Sequence, residues 1–250
     1  MRLRTAGVLA LALLGCSVAR RAGAMAAVPT ELRQPVLWLP LSMGSRAELA
    51  VAQRLFGSQS TSPVAGVAVT QVQVPGGREA FVYEPERRLR PSGVLLWIHG
   101  GPLGSWNSWS WRWNPWLAVA RGYAVLLPDP ALSTGYGHAF LQRGWGRWGG
   151  RPFTDLMTIT DVALKRGDLD ADRTAAMGGS FGGYMANWVA TQTDRFRAIV
   201  THASLWDLDS FTGTTDSAYY WEKEWGDPLR EPKRYEQNSP HRFADAIRTP

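Results

Sequence analysis

The chain has a single cysteine, Cys16, which excludes an intramolecular disulfide and a cysteine-type zinc site. Lysine is almost as scarce, occurring only at Lys165, Lys223 and Lys233, so nearly all of the 27 basic residues are arginine. The formal charge of +6 falls to +2 once the unbalanced Arg2, Arg4, Arg20 and Arg21 of the first 24 residues are set aside. That is too little for long-range attraction to a phosphate backbone, so nucleic-acid binding is not expected. Apolar runs are short as well. Ala6 to Leu14 is below the length of a membrane span. Histidine occurs only four times, at His99, His138, His202 and His241. With 45% hydrophobic residues, the composition is that of a globular protein with a substantial core.

The N-terminus reads as an export signal over residues 1–24, with Arg2 and Arg4 before the apolar run and Ala22-Gly23-Ala24 as a small-residue cleavage site. Export predicts a secreted or cell-envelope protein; without it the chain is cytoplasmic. Leu13-Leu14-Gly15-Cys16 also resembles a lipoprotein box, in which Cys16 would carry a lipid anchor. Arg20 and Arg21 after the run oppose both readings. An arbitrary N-terminus is the alternative. Residues 25–66 show no sustained period and are left unassigned.

From Val67 the pattern sharpens into a region, 67–250, with alternating strands and helices. Val67 to Val74 and Glu79 to Tyr83 alternate around Pro75-Gly76-Gly77, as in a β-hairpin. Gly93 to Ile98 and Tyr123 to Leu127 are continuous apolar runs, expected of parallel strands buried on both faces. Helices are expected over Trp113 to Arg121, over Thr154 to Lys165 with Thr154 as cap, and over Gly182 to Thr191. Short strands are expected over Arg173 to Met177 and Phe196 to Thr201. This alternation predicts an α/β fold, a mostly parallel sheet with helices on both faces.

Gly178-Gly179-Ser180-Phe181-Gly182 fits G-x-S-x-G between a strand and a helix, the setting of a nucleophile elbow. Glycine is needed at Gly178 and Gly182 because the turn is too sharp for side chains there. Ser180 is the expected nucleophile, and the N–H of Phe181 is one expected oxyanion donor. The strand ending Trp97-Ile98-His99 runs into Gly100-Gly101-Pro102, where such folds place the second donor, Gly101. A phosphate-cradling glycine turn is the competing reading, but no lysine follows as a P-loop requires.

These motifs, with Ser133-Thr134-Gly135-Tyr136-Gly137, Gly178 to Met185, Asn238-Ser239-Pro240 and Ile247 to Pro250, resemble the prolyl oligopeptidase family of serine peptidases, in its acylaminoacyl-peptidase and dipeptidyl-peptidase-like branch. The resemblance implies an α/β-hydrolase fold, no cofactor, and cleavage of short peptides through an acyl-enzyme at Ser180. It also implies that the triad aspartate and histidine lie beyond a segment like Ile247 to Pro250, so the chain is read as a catalytic domain lacking its last strands and helices and nearly inactive by itself. Residues 1–66 could supply at most one blade of the family's β-propeller. Relatives carry an arginine where this chain has Pro130-Ala131-Leu132. The elbow does not specify an amide substrate, so an esterase or lipase of the same fold remains open, as does a non-catalytic binding module.

Each remaining candidate has a structural reading. His99 braces the oxyanion loop, His138 is exposed or structural, His241 opens a helix, and His202, at the end of the strand beside the elbow, could serve as a base. Trp106, Trp109, Trp111, Trp113 and Trp116 form a cluster that either packs the loop or lines an apolar subsite. Asp168, Asp170 and Asp172 suit a solvated turn better than a cation site, and no metal is expected.

Overall fold

The computed structural model describes residues 66–76, 78–87, 90–106 and 113–250. Residues 1–24, read above as an export signal and including Cys16, the rest of the unassigned segment up to residue 65, and Trp109 and Trp111 lie outside these residues.

Six strands form one sheet: β1 (Val67–Val74), β2 (Arg78–Pro85), β3 (Ser92–Ile98), β4 (Ala124–Asp129), β5 (Leu169–Gly179) and β6 (Ala198–His202), in the order β1-β2-β4-β3-β5-β6. The expected hairpin forms, with Val72 opposite Ala80, and β2 runs antiparallel to β4. The strands β4, β3, β5 and β6 are parallel. The helices are α1 (Trp116–Val119), α2 (His138–Gln142), α3 (Arg151–Leu164), α4 (Phe181–Gln192), α5 (Leu208–Thr214), α6 (Ala218–Trp225) and α7 (Pro232–Glu236), followed by a 3-10 turn, Pro240–Ala246. Among the described residues no helix is long and apolar enough to cross a membrane.

Both faces of the sheet are covered because the apolar strands have no polar face to give to water. Val94, Leu96, Ile98, Ala124 and Leu126 point into the larger core, shared with Leu156 and Ile159 of α3 and Met185 and Val189 of α4. Their neighbours Leu95, Trp97, Val125 and Leu127 point the other way, onto Val119 of α1, Trp106, and Phe81 and Tyr83 of β2. The period of two along each strand thus builds two cores from one sheet.

Several boundaries differ from those expected. The helix α3 begins at Arg151, with Gly150 as a cap that lacks a side chain, so Thr154 sits inside the first turn and its Oγ1 donates to the Arg151 carbonyl. Pro152, which needs no amide partner there, is what allows the earlier start. Only Trp116–Val119 of the Trp113 to Arg121 segment is helical, between Pro115 and the left-handed Gly122. β5 starts at Leu169, so Asp170 and Asp172 lie within it, next to a register shift between Gly93 and Val94. β6 forms over Ala198–His202 and is exposed at Val200. Its edge is taken up in part by the C-terminal residues: the Ile199 amide donates to the Pro250 carbonyl at 2.9 Å, and Thr249 Oγ1 donates to the Phe196 carbonyl at 3.0 Å.

Candidate active site

Ser180 stands at the junction of β5 and α4, at the carboxyl edge of the parallel strands. Its backbone has φ +57° and ψ −121°, a region L-residues avoid and that typically costs about 1–3 kcal/mol. Two backbone hydrogen bonds hold it there: its amide donates to the His202 carbonyl at 2.9 Å, and its carbonyl accepts from the Tyr184 amide at 2.9 Å. The flanking glycines are sterically required. A Cβ on Gly178 would lie 2.3 Å from the Gly182 backbone, and one on Gly182 would lie 2.2 Å from the Ile98 carbonyl oxygen. Gly183 is equally confined, with the His202 carbonyl oxygen 2.7 Å from where its Cβ would be. The elbow is therefore wedged between the ends of β3 and β6.

The loop after β3 crosses beside it. Gly101 has φ +123°, and a Cβ there would meet the Gly104 amide nitrogen at 2.8 Å, so only glycine fits this turn. Phe181 is the first residue of α4, whose opening amides have no helix carbonyl to bond. Ser180 and Gly101 line one cavity of about 520 Å³ together with Trp97, His99, Trp106, Trp113, His202 and Ala203. Ser180 is exposed to it, and its Oγ has no hydrogen-bond partner among the described residues.

The four imidazoles are separated by their surroundings. His99 is 5% exposed; its Nδ1 lies 2.8 Å from the Gly100 carbonyl oxygen and its Nε2 lies 2.9 Å from Ser133 Oγ. Burial holds its pKa down at about 4, so the ring is neutral, with Nδ1–H as donor and Nε2 accepting from the serine. His202 presents its ring to the cavity, packed edge-on against Trp113 at 6.1 Å between centroids. His138 is exposed, 3.4 Å from Gln142 Nε2. His241 lies 3.7 Å from Asp207 Oδ1, away from the lining of this cavity.

Beneath the glycine loop lies a carboxylate that the sequence did not single out. Asp129, 1% exposed at the end of β4, accepts from the Trp106 amide at 2.8 Å and from the Tyr136 hydroxyl at 2.6 Å, and it stands 3.8 Å from His99 Nε2. Burial raises its pKa to about 7 against the two hydrogen bonds, which lower it. An aspartate ending a wholly apolar strand is a weak signal, because strand ends normally meet water. The Ser133-Thr134-Gly135-Tyr136-Gly137 motif completes the support: Ser133 reaches His99, Tyr136 reaches Asp129, and the Thr134 amide donates to the Gly104 carbonyl at 2.8 Å.

The Pro130-Ala131-Leu132 segment is held through an acidic side chain of α3. The Ala131 amide donates to Asp155 Oδ2 at 3.0 Å, and the buried Asp155 pairs with Arg151 at 3.1 Å and Arg143 at 3.8 Å. Leu132 is fully buried with φ +83°. Asn238 and Ser239 also act as braces, with Asn238 accepting from the Gly149 amide and Ser239 Oγ from the Leu208 amide.

Of the tryptophans, Trp106 packs at 5.8 Å against Trp97 and donates from Nε1 to the Trp97 carbonyl, Trp113 is partly open to the cavity, and Trp116 packs into the smaller core. Asp168 pairs with Arg166 and Asp170 with Arg173. Among the described residues no group of three metal-binding side chains occurs.

Residues 109–250 match the sequence profile of the prolyl oligopeptidase family. The probable dipeptidyl-peptidase 5 of Emericella nidulans is 37% identical over 174 residues, 66% of this chain and 24% of that protein. The dipeptidyl-peptidase 5 of Schizosaccharomyces pombe is 34% identical over 178 residues, 68% of this chain and 26% of that protein. The chain thus spans about a quarter of the length of the curated relatives it matches. Among solved structures, an acylaminoacyl peptidase in complex with Z-Gly-Gly-Phe-chloromethyl ketone superposes with a TM-score of 0.69 at 25% identity, over 75% of this chain and 32% of that one. Profile, relatives and superposition agree: the chain belongs to the prolyl oligopeptidase family and has its α/β-hydrolase fold.

Proposed function

We propose that this chain is the catalytic domain of a serine-type peptidase that hydrolyses short peptides through an acyl-enzyme at Ser180. The observation that carries the reading is Ser180 itself, held in a strained elbow at the mouth of a 520 Å³ cavity shared with Gly101. In the reaction Ser180 Oγ bonds to the scissile carbonyl carbon and gives up its proton. The amides of Gly101 and Phe181 receive the oxyanion, the C–N bond breaks, and the amine leaves with a proton. Water then adds to the ester and releases the acid and a regenerated serine. A neighbour solved with a peptidyl chloromethyl ketone supports a peptide as the acyl donor.

We also infer that the 250-residue chain turns over slowly by itself. Among the described residues no imidazole is hydrogen-bonded to Ser180 Oγ, and losing a triad member costs about four to six orders of magnitude in rate. A fluorophosphonate probe and aminoacyl-nitroanilides, applied to this chain and to one extended to its relatives' length, test both statements. The extended chain should label at Ser180 and release nitroaniline, and the 250-residue chain should do so far more slowly. Turnover of short acyl esters alone would make the protein an esterase, and absence of labelling in a folded extended chain would leave a binding module.

A further inference from the structure

At the opposite end of the sheet from Ser180, a second cavity of about 510 Å³ opens where β2 ends, β3 begins and the α1–β4 turn closes over them. The strand β3 runs from Ser92 in this cavity to Ile98 in the Ser180 cavity, so the two are roughly 20 Å apart. The lining carries Arg87, Arg90, Arg121, Arg173 and Tyr123 and no acidic residue.

Arg173 is held in place, its Nε 2.6 Å from Asp170 Oδ2 and its Nη2 2.6 Å from the Pro91 carbonyl oxygen. Asp170 neutralises that guanidinium from outside the lining. The guanidinium groups of Arg87, Arg90 and Arg121 have no ion pair or hydrogen bond among the described residues. Three uncompensated cations around one small volume repel one another unless an anion lies between them. Ser92 is 4% exposed; its amide donates to the Asp168 carbonyl, but its hydroxyl has no partner among the described residues. Gly93 keeps the floor open, since a Cβ there would come within 3.0 Å of the Arg173 carbonyl oxygen and 3.8 Å of the Tyr123 ring. Tyr123, half exposed, supplies a flat wall.

We propose that this cavity binds a small phosphate-bearing ligand, with Arg87, Arg90 and Arg121 gripping its oxygens, the Ser92 hydroxyl donating to it and Tyr123 lying against its body. A single carboxylate engages one guanidinium fork, whereas several forks call for a group with more acceptor oxygens and more than one negative charge. The volume suits a small molecule rather than a polymer.

Titration calorimetry of the 250-residue chain with inorganic pyrophosphate at constant ionic strength tests this, with citrate as the carboxylate arm. The expected result is saturable one-site binding, weakened roughly tenfold or more in an R87Q/R121Q double variant and weaker for citrate. The replaced arginines are exposed, so without pyrophosphate the variant should melt with the parent. A linear response like that to added chloride, or equal binding by the variant, would overturn the site. Citrate binding as tightly as pyrophosphate would overturn the phosphate assignment.

Discussion

The Ser180 amide donates to the His202 carbonyl at 2.9 Å, so the elbow is tied to β6 through the backbone of His202 and not through its ring. The ring is exposed in the cavity and packs against Trp113. His202→Ala should therefore change stability by no more than about 0.5 kcal/mol in urea unfolding. Fluorophosphonate labelling of Ser180 in the same variant reads the other possibility: a marked loss of labelling with stability unchanged would assign the imidazole a part in proton transfer.

Gly178→Ala and Gly182→Ala should each cost about 3 kcal/mol or more, or prevent folding, because the new methyl meets backbone at 2.3 and 2.2 Å and no side chain can swing away. Gly167→Ala is the control. Nothing lies within 4 Å of its Cβ position, and its stability should equal or slightly exceed that of the parent. Thermal melts of the three variants decide the matter.

Asp129 and His99 should make opposite contributions to the pH dependence of stability. Asp129, raised from 3.8 to about 7, keeps a proton that the unfolded chain has released, so its contribution is lost as pH rises across that interval. His99, lowered from 6.5 to about 4, stays neutral where the unfolded chain is protonated, so its contribution is lost as pH falls across its own interval. Each slope is about 1.4 kcal/mol per pH unit, and they offset one another in the shared window. Relative to the parent, Asp129→Asn should gain stability as pH rises from about 4 to 6.5, and His99→Gln should lose it. Urea unfolding at two pH values in that window checks both signs.

Leu132→Gly tests two competing effects. Releasing a leucine from φ +83° gains about 1–2 kcal/mol, while removing a fully buried leucine side chain costs about 3–5 kcal/mol. The packing term is larger, so the variant should be less stable by about 2 kcal/mol on chemical denaturation.

The parts of this protein that could be read from its sequence were those whose signal is local. Gly93 to Ile98 is apolar throughout because β3 is buried on both faces, and Pro75-Gly76-Gly77 leaves a hairpin few alternatives. What could not be read was decided by partners distant in the chain. Thr154 has the chemistry of a helix cap, but Pro152 allowed the helix to start a turn earlier. Glu224 lies among the charges of α6. It is nonetheless buried, accepting from Trp148 Nε1 at 2.6 Å and from the Gly146 amide at 3.2 Å. Asp129 likewise acquires its role only when Trp106 and Tyr136 fold over it.

The sequence by itself determined the elbow, since a serine between glycines at a strand-to-helix turn is a short-range steric requirement that needs no knowledge of the rest of the chain. The tertiary structure decided what surrounds that serine. It put the carbonyl of His202 on the amide of Ser180, enclosed His99 so that its ring stays neutral, and left Oγ facing a cavity, because burial and long-range hydrogen bonds exist only once distant strands lie side by side.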